Sequence, residues 1–564
     1  MRFRLSLPLF ILAAIALFSS CSSKLNPLSA DYIKVTPQPL EVTARKVPVT
    51  INATFPEKWF HKNATVVVTP VLKYEGGEAR GTSYTYQGEK VSGNGQVVPQ
   101  ATGANITMRS VFDYIPAMDK SELYLSFSAK IKNKEIPLPD IKIADGVIAT
   151  SALADAGSAN SAIAPDAFQR IIKEAHNANI MFLIQQAELR STELKKGELA
   201  DWKDLVKASS ENEKQNISVE ISAYASPDGG QDLNDKLAAK REQNTNKYLA
   251  SEMKKAKINV PLNARYTAQD WDGFKELVEK SNIQDKDLIL RVLSTYTDPS
   301  ERERQIKNIS SVYSTLADDV LPQLRRSRLT ANIEIIGKSD AEISELAAYN
   351  PKGLNVEELL YAATLLDGSS SKAAIYQSAT EAYPNDYRGF NNLGVTKFAQ
   401  GQISEAETLF KKAAQLSSQT PETNMNLGLI ALTKGDLAGA EQYFGKSGNV
   451  PELNESLAIL ALENGDYSKA VNYFGSTASN NAAIAQIMTK DYSKAQSTLN
   501  NVTNANATTS YLKAIVSART NNMDGVVSNL KDAVSKDRNL AKKALKDNEF
   551  IKYITDSQFL NIVR

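Results

Sequence analysis

The sequence is poor in the residues that most often carry chemistry. Among 564 residues there is one cysteine, Cys21, and there are two histidines, His61 and His176. That rules against a Cys/His zinc site, a Cys–His catalytic pair and a structural disulfide. Neither sign of charge is in excess: 65 Lys and Arg against 64 Asp and Glu leave a formal net charge of +1. A chain so balanced carries no electrostatic footprint for nucleic acid. Long apolar runs are missing too. The longest, residues 5–18, is shorter than a membrane-spanning helix requires. Acidic residues abound, yet no pair of them sits in a setting recognisable as a hydrolase site. The expectation is therefore a non-enzymatic protein with no cofactor and no metal.

What is present begins with a sorting signal. Arg2 and Arg4 precede the apolar run, and Ser19, Ser20 and Cys21 follow it. These are the three regions of a secretory signal peptide, over residues 1–21. Leu17-Phe18-Ser19-Ser20-Cys21 resembles a lipobox, with Phe18 where Leu is usual. The resemblance implies cleavage before Cys21 and acylation of its thiol. Several acyl chains suffice for stable anchoring. No acidic cluster follows Cys21, unlike in surface-exported lipoproteins of Bacteroidota. By that resemblance the chain is an outer-membrane lipoprotein facing the periplasm, its membrane contact being the lipid.

At about 150 residues per domain the length allows three to four domains. Residues 25–31 read as a tether. Residues 33–147 are β-like: Thr65-Val66-Val67-Val68-Thr69 and Leu123-Tyr124-Leu125-Ser126-Phe127 are strong strand candidates, with turn signals at Gly76-Gly77 and Gly93-Asn94-Gly95. An immunoglobulin-like all-β sandwich is expected. Trp59, Phe60 and His61 form an aromatic cluster that fits either core packing or a docking patch. Residues 148–165, rich in Ala and Ser, read as a linker.

Residues 166–338 read as an α/β domain. A short helix is expected at 168–176, a strand at 178–184, a helix at 189–205 and a closing strand at 329–335. Ile217, Val219, Ile221 and Ala223 alternate with Ser218, Glu220 and Ser222, as on a half-buried strand. A turn at 225–230 leads into a polar helix. An insertion occupies about 270–320. Tyr224, Ala225, Ser226, Gly229, Asn234, Leu237 and Arg241 fall at the offsets of the peptidoglycan-binding loop of the OmpA C-terminal domain family, which this stretch resembles. The resemblance implies an OmpA-like domain in which Arg241 clamps the carboxylate of a peptidoglycan stem, since a guanidinium fork fits a carboxylate. The family's Asp, which pairs the stem's ammonium, is replaced by neutral Ser226. Asp228 stands two residues on. Peptidoglycan is thus an expected weak partner, with Arg241, Asn234, Ser226 and Asp228 as its site.

Residues 355–564 are helical and self-similar. Leu393-Gly394, Gly401, Ala406 and Phe410 recur as Leu427-Gly428, Gly435, Ala440 and Phe444, each 34 residues on. Ala470 and Ala495 continue the series at shorter spacings of 30 and 25. A period of 34 resembles that of the tetratricopeptide repeat. It implies an α-helical solenoid, closed by a C-terminal cap, whose concave face binds a protein partner. Asn391, Asn392, Asn424 and Asn426 are the candidates for holding the backbone of an extended peptide.

Two functions follow. The first is an outer-membrane-anchored periplasmic scaffold that binds a protein through its repeats and peptidoglycan weakly through its middle domain. The second is an accessory subunit of an outer-membrane or fimbrial assembly that does not bind peptidoglycan. Lipidation is common to both. A fatty-acid analogue fed to cells should label the protein at Cys21, and label persisting in Cys21→Ala would show that the anchor is elsewhere.

Overall fold

The computed structural model describes residues 25–283 and 285–564, the side chains of 310–312 left aside. The expected signal peptide and Cys21 lie outside the described residues. The chain forms two compact units, Asp166–Leu366 and the remainder on either side of it.

The first unit opens with two sheets. Ile33–Thr36, Lys46–Phe55 and Ala104–Asp113 make an antiparallel three-stranded sheet. Seven strands, centred on Ala64–Tyr74 and Ser121–Ile131, make the other. Alternation decides their inner faces: along Lys46–Phe55 the residues Val47, Val49, Ile51, Ala53 and Phe55 are buried. They share one core with Val66, Val68, Leu72, Leu123 and Leu125 of the larger sheet. Phe60 is fully buried there, and Phe55 stacks on Trp59 at 4.9 Å, so the aromatic cluster is core rather than an open patch. The stretch expected as a tether also belongs to this core. Leu25 and Leu28 are buried, and Trp59 Nε1 donates to Asn26 O at 2.9 Å.

The C-terminal part of this unit is a run of antiparallel helix pairs, from Ser369–Ala382 to Met523–Lys536, closed by the short helices Asn539–Ala544 and Ser557–Val563. Glycine permits the close approach within a pair. A Cβ on Gly394 would stand 2.6 Å from the Phe410 ring, and one on Gly428 2.4 Å from Phe444. The first helix of a pair ends on a left-handed residue: Gly401, Gly435 and Gly465 in the regular repeats, Lys490 and Asn521 in the later ones.

The sheets dock on the C-terminal end of this array. Arg519 donates to Glu549 at 2.7 Å and to Glu41 at 3.0 Å, and Thr150 donates to the same Glu549. Asn548 Nδ2 donates to the carbonyls of Asp119 and Gly146. Burial lowers the affinity of Arg519 for its proton, but the two glutamates outweigh it and hold the guanidinium above the ordinary arginine range.

The second unit holds a four-stranded mixed sheet in the order Ile171–Met181, Arg326–Ile336, Gln215–Tyr224, Leu262–Thr267. Only the last pair is parallel. Gly197–Ser210 and Gln231–Lys255 are its long helices, and Leu199, Trp202, Val206, Leu249 and Met253 pack on Ile180, Val219, Ile221 and Leu329. Residues 168–176, expected as a helix, lie mostly in the first strand, which pairs with Arg326–Ile336 over eleven residues. Cross-strand pairing overrides a local apolar pattern too short to choose between periods. The strand Leu262–Thr267 was not anticipated, because it is an edge strand with little buried surface. The insertion is helical and has its own core of Trp271, Phe274, Val278, Ile289, Leu293, Ile306 and Leu324. Helix Val356–Thr364, expected to open the repeats, belongs to this unit.

A cluster of acids sits where the sheets meet the C-terminal cap. Tyr511 Oη donates to Asp547 at 2.7 Å and the Glu549 amide donates to it at 3.0 Å, while Tyr114 Oη donates to Asp119 at 2.5 Å. Burial, and then the charges of Glu549 and Asp119, push the Asp547 carboxyl up to about 6 from 3.8. Burial raises the Asp119 carboxyl too, and Tyr114, Lys543 and Lys546 only partly offset that. A raised folded-state pKa of an acid means that ionisation costs stability above about pH 6, and that the cost is relieved as pH falls toward 3.8. Asp547→Asn should therefore raise the thermal midpoint of the full chain at about pH 7, with the gain shrinking toward about pH 5. A pH-independent gain would mean that the carboxyl titrates alike in the folded and unfolded chain, so that its burial carries no ionisation cost.

Candidate functional sites: an asparagine-lined groove and a braced loop

The first helices of four successive repeats present an asparagine or serine at one equivalent position. Asn392, Asn426, Ser456 and Asn481 lie 34, 30 and 25 residues apart, the same spacings as Ala406, Ala440, Ala470 and Ala495. All four are buried. A side-chain amide carries both a donor group and an acceptor, the pair that a neighbouring β-strand offers. In an extended chain the N–H and C=O of one residue point the same way, so one asparagine can hold both.

Each asparagine in this series does so, and what it holds is the stretch expected as a linker. Asn392 accepts from Ala164 N at 2.8 Å and donates to Ala164 O at 2.9 Å. Asn426 accepts from Ala162 N at 2.7 Å and donates to Ala162 O at 2.8 Å. Asn481 accepts from Asp155 N at 3.0 Å and donates to Asp155 O at 2.9 Å. Asn391 adds a bond to Ala162 O at 3.0 Å and is itself held by Asn426 and Thr423. Between the clamps, Ala156, Ala159 and Ala162 join the core of the array. Residues 154–165 are thus a strap fixed along the repeats. Of the four groove candidates, three bind this strap. Asn424 does not: its amide donates to Thr420 O within its own helix. Sequence reasoning missed Asn481, although the shortened spacing of the later repeats marks its position.

In the second unit the loop residues are equally committed. Arg241 is fully buried. Its guanidinium donates to the carbonyls of Gln186 at 2.9 Å, Tyr224 at 2.8 Å and Leu183 at 3.2 Å, and it lies 4.9 Å from the Phe182 ring centre. Burial, then the nearby charge of Arg325, push it down to about 10, with Asp228 pulling the other way. Asp228 is bonded by Ser226 Oγ at 2.5 Å and paired with Arg325 at 3.0 Å. Asn234 braces the same loop by donating to Ser226 O and Gly229 O. The insertion closes over this region. Asp270 caps helix Trp271–Lys280 through Gly273 N at 2.9 Å and pairs with buried Arg326 at 3.0 Å. The four residues read as a peptidoglycan site are therefore brought together, but their polar atoms serve one another and the backbone. The arginine expected to clamp a stem carboxylate holds three main-chain carbonyls instead. Among the described residues no cluster of three or more His, Cys, Asp or Glu could hold a metal ion.

Residues 391–449 match the tetratricopeptide repeat family. Among solved structures, a tetratricopeptide repeat protein from Parabacteroides merdae is similar at 16% identity, over 40% of this chain and 90% of its own, with a TM-score of 0.28. The Cut9–Hcn1 complex of the APC/C matches at 15% identity over 65% of this chain and 82% of its own, with a TM-score of 0.32. Yeast Tom70 matches at 11% identity over 64% and 80%, with a TM-score of 0.26. No curated protein matches the sequence. The C-terminal region is a helical array of the tetratricopeptide-repeat type.

Proposed function

We propose that this protein is a non-enzymatic scaffold of the cell envelope, held at the outer membrane by a lipid on Cys21 and facing the periplasm. It recognises a protein partner through its repeat array. The observation that carries this reading is the series of buried asparagines, each holding the N–H and C=O of one residue in an extended segment. Such a surface reads peptide backbone and has no group suited to bond-breaking chemistry.

The middle unit, on this reading, is an OmpA-like fold used as a protein module within an outer-membrane or fimbrial assembly rather than as a wall anchor. Support for the fold comes from its strand order and its two long helices. Support for the lost wall contact comes from Arg241, whose three donor groups are spent on carbonyls, and from Asp228, which is paired with Arg325. A ligand carboxylate would have to displace bonds already made in a desolvated site.

Co-sedimentation of the full chain with purified peptidoglycan tests this. The protein should stay in the supernatant, and Ser226→Asp should not change that, because a new acid there would meet Arg325 first. Arg241→Ala leaves three carbonyls without their donor and a void in place of a fully buried side chain, and should cost about 2–4 kcal/mol of stability of the second unit by denaturant unfolding. Pelleting of the wild type that is abolished by Arg241→Ala in a stably folded protein would restore the wall-binding reading.

A further inference from the structure

The strap that fills the groove is part of the chain, yet it is held as a ligand is held. It enters no sheet and no helix pair. Its main contacts are side-chain amides on the receptor and main-chain groups on the strap, at Asp155, Ala162 and Ala164. Its inward side chains are all alanine, with Ala162 0% exposed and Ala164 1%. The one bulky residue, Ile163, points outward at 41% exposure. Backbone clamps set the direction and register of whatever lies there. Ala162 and Ala164 are covered almost completely, so the groove favours small side chains at these positions.

We infer that the groove is a receptor for a peptide segment with small residues at its inward positions, and that residues 154–165 are its resident ligand, which a partner segment of the same chemistry replaces. This rests on the scaffold reading and names the class of partner segment that reading requires. Tethering gives the strap an effective concentration on the order of millimolar, far above that of a dilute free peptide. The resident segment therefore keeps the groove closed, and a partner gains entry only where its own segment is presented at comparable local concentration or the strap is drawn out.

The test uses the full chain and a fluorescein-labelled peptide with the sequence of residues 154–166. In Ala162→Arg the strap cannot seat, because no space exists beside a fully buried alanine. The labelled peptide should bind this variant at least about tenfold more tightly than the wild type, by fluorescence anisotropy. Adding Asn392→Ala and Asn426→Ala to the same chain removes four backbone hydrogen bonds and should weaken that binding by about two orders of magnitude. A peptide with arginine in place of its Ala162 should not bind.

A second measurement does not depend on that variant folding. In otherwise wild-type protein, Ile163→Cys carries an environment-sensitive dye at an outward position. Unlabelled peptide at millimolar concentration should shift the dye's emission, and a scrambled peptide should not. Absence of peptide binding to folded Ala162→Arg, or an unmoved dye at saturating peptide, would overturn the inference and leave the strap as a fixed part of the array. The scaffold reading is judged separately, by crosslinked partners recovered from membranes. If partners are retained while peptide binding is absent, the scaffold stands and the groove is not its receptor.

Discussion

Within the first unit, one pairing fixes the path of the chain: a side-chain amide against the N–H and C=O of a single residue. The sheets are bound to the C-terminal end of the helical array through Glu41, Arg519 and Glu549. The chain must then travel back to the array's first helices before it leaves for the second unit. A free connection of that length would carry unpaired backbone groups over an apolar surface, at a cost comparable to a lost hydrogen bond for each group buried. Repeat-spaced asparagines remove that cost. They turn a connection into a strap, and the strap's alanines complete a core that the helices alone leave open.

The second unit solves a related problem with charge. Arg241 and Arg326 are both buried, and burial lowers the pKa of each. A buried guanidinium persists only where its charge is paired or its donors are satisfied. Arg241 is satisfied by carbonyls from two loops and so holds residues 183–186 against the end of strand Gln215–Tyr224. Arg326 is paired with Asp270, which also caps the first helix of the insertion, while its Nε has no hydrogen-bond partner. These arginines bind the loop, the insertion and the sheet edge into one structure. The donors of Arg241 and the carboxylate of Asp228 are already in use.

Much of this was legible from residue spacing. The 34-residue recurrence identified the helix pairs, and the Gly394–Phe410 and Gly428–Phe444 contacts are its physical cause. The alternation of Ile217, Val219 and Ile221 located the middle strand of the sheet. The asparagines were legible as backbone-holding groups because an amide has few other reasons to repeat. What was not legible is what they hold. An Ala- and Ser-rich stretch has the composition of a flexible linker, and nothing local distinguishes small side chains that are free from small side chains chosen for a narrow groove. Arg241 failed for a similar reason: its position in a motif is visible in sequence, while the carbonyls that consume its donors come from residues 55 and 58 positions away. The exposed edge strand Leu262–Thr267 gave no signal because it buries too little to impose a pattern.

The conformation of the strap follows from the one of these four repeats that lacks an asparagine. Array order runs Asn392, Asn426, Ser456, Asn481, and the strap runs the opposite way, from Asp155 at Asn481 to Ala164 at Asn392. Ala162 and Ala164 sit on adjacent clamps and the strap there is extended. Opposite Ser456 no amide is available, since its hydroxyl is turned to Glu452 O. In that interval the strap bonds to itself. Ala156–Ser158 forms a single 3-10 turn in which Ser158 N donates to Asp155 O and Ala159 N to Ala156 O. Asn160 then reaches Glu455, the neighbour of Ser456, with its own side chain at 3.0 Å. Backbone groups that the receptor leaves unpaired are paired locally, as burial demands. The turn takes up length as well, since a 3-10 segment advances about 2.0 Å per residue against about 3.3 Å for a strand. The eight residues from Asp155 to Ala162 thus run between two clamps that stand two repeats apart. The same accounting explains why the strap is extended at one end and turned at the other, with no appeal to the intrinsic preference of its alanines.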